Sequence, residues 1–185
     1  MKSGTLTTNE PAGSADLSGF LDEIEGCVPG LRRYARALTR NADRADDLVQ
    51  DCIERALRKR GLFRPTGPLQ AWLYRMLLNL YRNSLRQTRR RGDHVPIDTL
   101  LIEPAIPAPQ PGRIALAEMS RAIDQLPDDQ REALLLVVLE GMSYEEAAAI
   151  LEIPAGTLMS RLSRARAALR QRTDSIEEPR LRTVK

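Results

Sequence analysis

The stretch GTLMSRLSRARAALR, positions 156–170, carries Arg161, Arg164, Arg166 and Arg170 and no acidic residue. Arginines gathered on one helix hold phosphates or read guanine edges. The other reading is a solvated basic face closing a helical bundle, although stable solvated helices usually mix both signs of charge. A second basic group, Arg82, Arg86, Arg89, Arg90 and Arg91, follows Trp72, Tyr74 and Tyr81. Arginines interleaved with aromatic rings suit opened nucleic acid, because a ring can replace a lost base neighbour. A helix C-terminus also attracts cations, though five exceed what its dipole requires, and Trp72 could equally pack in a core. A third group is acidic: Asp43, Asp46, Asp47, Asp51 and Glu54, with Gln50 among them. It fits either a helix N-terminus favoured by acids or a surface for a basic protein partner.

Catalytic chemistry finds little support. The carboxylate pairs Asp46–Asp47, Asp128–Asp129 and Glu145–Glu146 are adjacent in sequence, and neighbours on a helix diverge by about 100°. His94 is the only histidine, which excludes a Ser-His-Asp triad, HExxH and any two-histidine metal site. Neither GxxxxGK[ST] nor GxGxxG occurs. Cys27 and Cys52 have neither zinc-site nor disulfide-framework spacing, which points to a reducing compartment. No cofactor, metal or small-molecule substrate is expected, and the chain is not expected to be an enzyme.

These groups need elements to carry them. Of 185 residues, 42% are hydrophobic, 29% charged and only 4% aromatic, with a net charge of +3. Cores built on Leu and Ala favour helices over sheets, so the expected class is all-α. Residues 1–16 read as a loose tail without the apolar segment of a signal peptide. The longest apolar run, ALLLVVL at 133–139, is too short to span a bilayer, so no membrane insertion is expected and the expected location is cytoplasmic. Helical periodicity covers 17–91, with Leu48, Cys52, Ile53 and Ala56 on one face and Leu69, Leu73, Met76, Leu77 and Leu80 on another. Five prolines in 92–112 mark a linker with an extended path, and Leu100–Ile102 within it should touch an apolar surface. Helix returns over 113–172, and 173–185 read as a fraying tail. In this second unit Pro127 should stand just inside a helix start, with Asp128 and Asp129 in its first turn and Gly141 as a stop. Ser143 and Glu146 are spaced as a capping box for a short helix over 144–151. A turn at 152–154 joins it to the arginine-rich helix, a helix-turn-helix pattern. There Leu158, Leu162, Ala165 and Leu169 form a narrow apolar stripe, and Thr157, Ser160 and Arg164 lie opposite it.

DRADDLVQDCIERA followed by AWLYRMLLNLYRNSLR resembles region 2 of bacterial sigma factors of the extracytoplasmic-function group. LPDDQREALLLVVLEGMSYEEAAAILEIPAGTLMSRLSRARAAL resembles their region 4, and the two matches cover roughly 17–172. The resemblance implies two small helical domains, and a non-catalytic subunit that gives RNA polymerase its promoter choice. It implies that Asp46, Asp47, Leu48, Gln50 and Asp51 dock on core RNA polymerase. It implies that Trp72, Asn79, Arg82, Asn83 and Arg86 meet the opened −10 element of promoter DNA, and that Thr157, Ser160, Arg161 and Arg164 read the −35 element as duplex. It further implies an anti-sigma factor that clamps the domains. Asn83 stands where the family often has Asp; it keeps hydrogen-bonding capacity, so DNA binding there should survive, whereas Met159 stands where the family often has Lys, which leaves the −35 preference open. Two other readings compete: a dimeric helix-turn-helix repressor or activator, and a sigma-like decoy that sequesters an anti-sigma factor. The first leaves the acidic segment and the 82–91 cluster unexplained. The second has no need of the basic faces this chain retains.

Overall fold

The computed structural model describes residues 13–63, 67–91 and 111–177, and the described residues contain helices and no strand. Three helices, α1 (Gly13–Thr39), α2 (Ala42–Arg58) and α3 (Leu69–Arg91), pack against one another, with a 3-10 turn at Arg60–Leu62 before α3. Four more follow: α4 (Pro111–Asp124), α5 (Asp128–Leu134), α6 (Tyr144–Leu151) and α7 (Ala155–Glu177). α5 continues directly into one π-helical turn, Leu135–Leu139, closed by the Glu140 N–H donating to the Leu135 carbonyl at 3.1 Å.

The expected apolar faces are buried. Leu48, Cys52, Ala56, Leu69, Leu73 and Leu77 lie in the core, with Ile53, Met76 and Leu80 half-buried at its edge. α1 ends at Arg40 in the left-handed region (φ 58°), and α2 starts where the Asn41 side chain accepts the Arg44 N–H at 2.8 Å. Pro29 and Gly30, both poor in helix interiors, lie inside α1. Gly30 has a packing reason: a Cβ there would stand 2.7 Å from Tyr74 Oη and 3.2 Å from Glu140 Oε2. The backbone of α1 thus leaves room for a tyrosine of α3 and a carboxylate from beyond α5.

Several expected boundaries move. α1 starts at Gly13, inside the tail expected over 1–16; α4 starts at Pro111 rather than Arg113; α7 runs to Glu177, past 172. Pro127 is the cap before α5 rather than its first helical residue, with Asp128 and Asp129 in the first turn as expected. The extended linker path and the contact of Leu100–Ile102 lie outside the described residues.

The helix-turn-helix forms as its signals require. Ser143 Oγ accepts the Glu146 N–H at 3.2 Å, and Glu146 Oε2 accepts the Ser143 N–H at 2.9 Å, a complete capping box. Gly141 stops the preceding segment at φ 68°, and Glu152 takes the left-handed cap that turns the chain into α7. Leu158, Leu162 and Ala165 are fully buried and Leu169 partly so. One continuous buried cluster joins α1–α3 to α5–α7, with α3 against α6 and α1 against the π turn.

Two expectations follow. Burial raises the Cys52 thiol to about 12, and its sulfur donates to the Leu73 carbonyl at 3.5 Å, so it stays a protonated, shielded thiol at neutral pH. Alkylation at pH 8 followed by mass spectrometry should leave Cys52 unmodified until the chain is denatured. The Glu146 carboxyl is held below its usual range by the Ser143 backbone N–H and hydroxyl. A lowered native value means that its contribution is present above the ordinary glutamate range and is lost as pH falls through the lower native value. In thermal unfolding, wild type should therefore exceed Glu146→Gln at neutral pH, and the gap should close below about pH 4. A gap that persists into acid would contradict the charged cap.

Candidate nucleic-acid interface

α7 buries its leucine stripe against α5 and α6 and turns the other face outward. Thr157, Met159, Ser163, Arg164, Arg166 and Arg170 are exposed, while Ser160 is half-exposed. Arg161, Arg164 and Arg166 also have partners within the chain. Arg161 lies 3.3 Å from Asp129 of α5, with its side chain only 21% exposed. Arg164 donates to Ser160 Oγ at 2.9 Å and Arg166 to Tyr144 Oη at 3.1 Å. The Arg164 and Arg166 bonds are short-range or exposed and can exchange with phosphate. The Arg161 pair also braces α7 against α5.

On α3, Trp72, Asn79, Arg82, Asn83 and Arg86 fall at intervals of three, four and seven residues, and so share one side. Asn79, Asn83 and Arg86 are exposed, and the Asn83 amide oxygen accepts from Arg86 at 3.3 Å. Trp72 is half-buried against Phe63, with ring centroids 5.4 Å apart, so one part packs and another stays accessible. Tyr74 and Tyr81 do not belong to this surface, which corrects their grouping with Trp72. Both are core residues: Tyr74 is fully buried and Tyr81 is 5% exposed. Their hydroxyls donate to the Glu140 carboxylate at 2.6 Å and the Leu38 carbonyl at 3.1 Å, leaving no ring face for a base. Arg82 is engaged as well, with its Nη2 2.7 Å from Glu132 Oε2 and its Nε 3.2 Å from Oε1.

The acidic face of α2 divides in two. Asp47, Gln50 and Asp51 are exposed, and neither aspartate has a cation within 4.0 Å among the described residues. Asp46 is held by Arg32 at 3.0 Å and Arg36 at 3.7 Å, and Gln50 donates to Glu54 at 3.2 Å. Leu48 is 8% exposed and points into the core beneath this surface, so it supports the face rather than forming it. The acids thus extend well beyond the helix start, where a dipole would explain only Asp43.

Sequence reasoning passed over Glu132 and Glu140. They bracket the apolar run ALLLVVL, where a carboxylate reads as ordinary helix surface. Their side chains are only 4% and 1% exposed. Arg33 grips Glu140 with two bonds, Nε to Oε1 at 2.9 Å and Nη2 to Oε2 at 2.6 Å, and Tyr34 Oη donates to the Glu132 backbone carbonyl at 3.2 Å. Hydrogen bonds to these carboxylates raise the arginines further, Arg82 through Glu132 and Arg33 through Glu140. Burial pushes the hydroxyls of Tyr34 and Tyr74 upward, so both remain donors. No described helix is long and apolar enough to cross a membrane, and no group of three His, Cys, Asp or Glu among the described residues could hold a metal ion.

This arrangement has known counterparts. Residues 24–78 match the family model described as the Sigma2 domain of PhyR, and residues 116–169 match Sigma-70, region 4. The ECF RNA polymerase sigma factor EcfG of Rhodopseudomonas palustris (strain TIE-1) is 45% identical over 151 residues, 80% of this chain and 81% of that protein. The ECF RNA polymerase sigma-E factor of Escherichia coli (strain K12) is 35% identical over 66% of this chain and 70% of its own length. Among solved structures, the sigma factor RpoE from Bartonella quintana, in complex with the anti-sigma factor NepR, superposes with a TM-score of 0.69 at 37% identity, covering 85% of this chain and 98% of that one. CnrH, in complex with the cytosolic domain of CnrY, superposes with a TM-score of 0.62 at 28% identity, covering 89% and 92%. With two sigma regions in order along one helical chain, and a relative of this identity matched over most of both lengths, the protein belongs to the ECF group of RNA polymerase sigma factors.

Proposed function

We propose that this sigma factor divides its work among three surfaces. The exposed acids Asp47 and Asp51, with Asp46 and Gln50, dock on core RNA polymerase. The α3 stripe of Trp72, Asn79, Arg82, Asn83 and Arg86 meets the opened −10 element. Thr157, Ser160 and Arg164 at the start of α7 enter the major groove of the −35 element, and Arg161 joins them once Asp129 releases it. The boundaries that suit these roles are 17–91 for the first domain and 113–172 for the second. The observation that carries this reading is the exposure of Thr157 and Arg164 on the face opposite the buried leucine stripe of a capped helix-turn-helix. A recognition helix uses its N-terminal residues on base edges, and these sit at that end.

The two DNA elements lie about 25 base pairs apart, roughly 85 Å of duplex at 3.4 Å per step. Two small modules on a tether suit that span, and each alone binds weakly. Polymerase supplies the fixed spacing that turns two weak contacts into one strong one. The chain acts as a non-catalytic, cytoplasmic subunit with no cofactor. An anti-sigma factor is its natural restraint, a reading supported by the similar RpoE structure solved in complex with the anti-sigma factor NepR. The match to the PhyR sigma2 domain raises the decoy reading, but a decoy has no use for an exposed arginine face on α7.

Run-off transcription with core polymerase and a promoter library tests the assignment. Thr157→Ala with Arg164→Ala should weaken dependence on the −35 sequence by about 1–3 kcal/mol per lost base contact while core binding stays intact. Asp47→Ala with Asp51→Ala should do the reverse. The same loss from both pairs would refute the division of labour.

A further inference from the structure

The outer face of α7 has an uneven profile. Its middle is a strip of small side chains, Gly156, Ser160, Ser163 and Ala167, at helical spacing opposite the buried leucines. A Cβ added at Gly156 would meet nothing within 4 Å, so that end of the strip lies open. Two flanks rise beside it. Thr157 and Arg164 form one, Met159 and Arg166 the other, because residues seven apart differ by only about 20° around a helix and lie about 10 Å apart along it. Each flank carries one uncharged side chain at the N-terminal end and one arginine two turns later. The arginines are held differently: Arg164 donates to Ser160 Oγ on its own helix at 2.9 Å, and Arg166 to Tyr144 Oη at the start of α6 at 3.1 Å. Met159 is the unusual member. Its side chain is 56% exposed, whereas Leu158 and Leu162 of the same helix are buried and Leu169 is half-buried.

We propose that Met159 is a specificity-determining residue: its thioether packs against a thymine methyl in the −35 element and makes the holoenzyme favour a T·A pair at one position. The inference rests on the −35 role of α7 proposed above. Among the groups that bases present in the major groove, the C5-methyl of thymine is the apolar one. Methionine is unbranched, has three rotatable bonds and a polarisable sulfur, and so can lie flat against a methyl whose exact place varies with DNA shape. It offers no donor to the O6 and N7 of guanine and no strong acceptor to the amino group of cytosine, so its contact favours thymine without favouring either of those bases. The neighbouring small strip lets the helix sink far enough for a side chain on the flank to reach the base edges. Arg166, on the same flank and pinned to α6 by Tyr144, holds a phosphate of the groove wall and fixes the register in which Met159 enters. Thr157 is the competing reader, because its methyl stands on the opposite flank.

Holoenzyme assembled from core polymerase and the full chain, selecting among promoters randomised through the −35 element, tests the assignment. Wild type should enrich thymine at one position, on one or other strand. Met159→Ala should flatten that position alone, and Met159→Lys should move it toward guanine, because an ammonium donates to O6 and N7. Met159 is largely exposed, so both variants should unfold thermally with wild type. A second measurement removes only the methyl. Deoxyuridine in place of the selected thymine should cost wild-type holoenzyme about fourfold in promoter affinity, the worth of roughly one buried methyl group, and should cost Met159→Ala nothing. Three results would overturn the proposal: a wild type indifferent to deoxyuridine, a Met159→Ala variant with wild-type base preferences, or a methyl effect that survives Met159→Ala and vanishes in Thr157→Ala. Failure of the −35 reading itself has a different signature, since Thr157→Ala with Arg164→Ala would then leave the preference at every −35 position unchanged.

Discussion

A carboxylate taken out of water needs a cation or several donors, and that demand governs how the two halves of this protein meet. Glu132 and Glu140 are nearly completely enclosed, and their partners come from α1 and α3, 50 and 107 residues away in sequence. A shift of the segment carrying them along α1–α3 would part Glu132 from Arg82 and Glu140 from Arg33 and Tyr74. Much of the surrounding construction serves the same requirement. Gly30 clears space, the π turn aligns the second acid with the first, and the fully buried Tyr34 and Tyr74 meet edge to face at 5.3 Å with their hydroxyls aimed across the seam.

Arg131 shows the same logic turned around. Its side chain is only 2% exposed, and its Nη2 reaches Asp128 at 2.6 Å and the Tyr81 hydroxyl at 3.2 Å, while Nη1 reaches the Asp124 and Leu126 carbonyls. It ties the start of α5 to the end of α4 and at the same time touches α3. The charge distribution across the seam is therefore reciprocal: acids of the second unit face arginines of the first, and one buried arginine of the second meets a tyrosine of the first. A seam lined with polar pairs differs from a purely apolar one in that water can replace its contacts group by group. That property suits a protein whose two halves must work far apart on DNA.

Arginines are suited to both roles. Arg82 and Arg161 carry planar, permanently charged groups that accept carboxylate and phosphate with the same geometry. In the folded chain both grip carboxylates, Glu132 and Asp129, and the same fork geometry is what the proposed DNA contacts require.

The local architecture was legible in the sequence. Alternation at three and four residues marked the buried faces of α2, α3 and α7, and Ser143 with Glu146 marked the cap of α6, because helical hydrogen bonds and caps involve residues a few positions apart. The family resemblance rested on the same local strings. Tyr74 and Tyr81 were misgrouped because an aromatic beside arginines looks alike whether its ring lies inward or outward, and their place depends on which helix covers them. Glu132, Glu140 and Gly30 gave no local sign at all. Their meaning comes from partners distant in the chain, so it exists only once the helices have packed, when the need to neutralise buried charge selects one way for the two halves to fit.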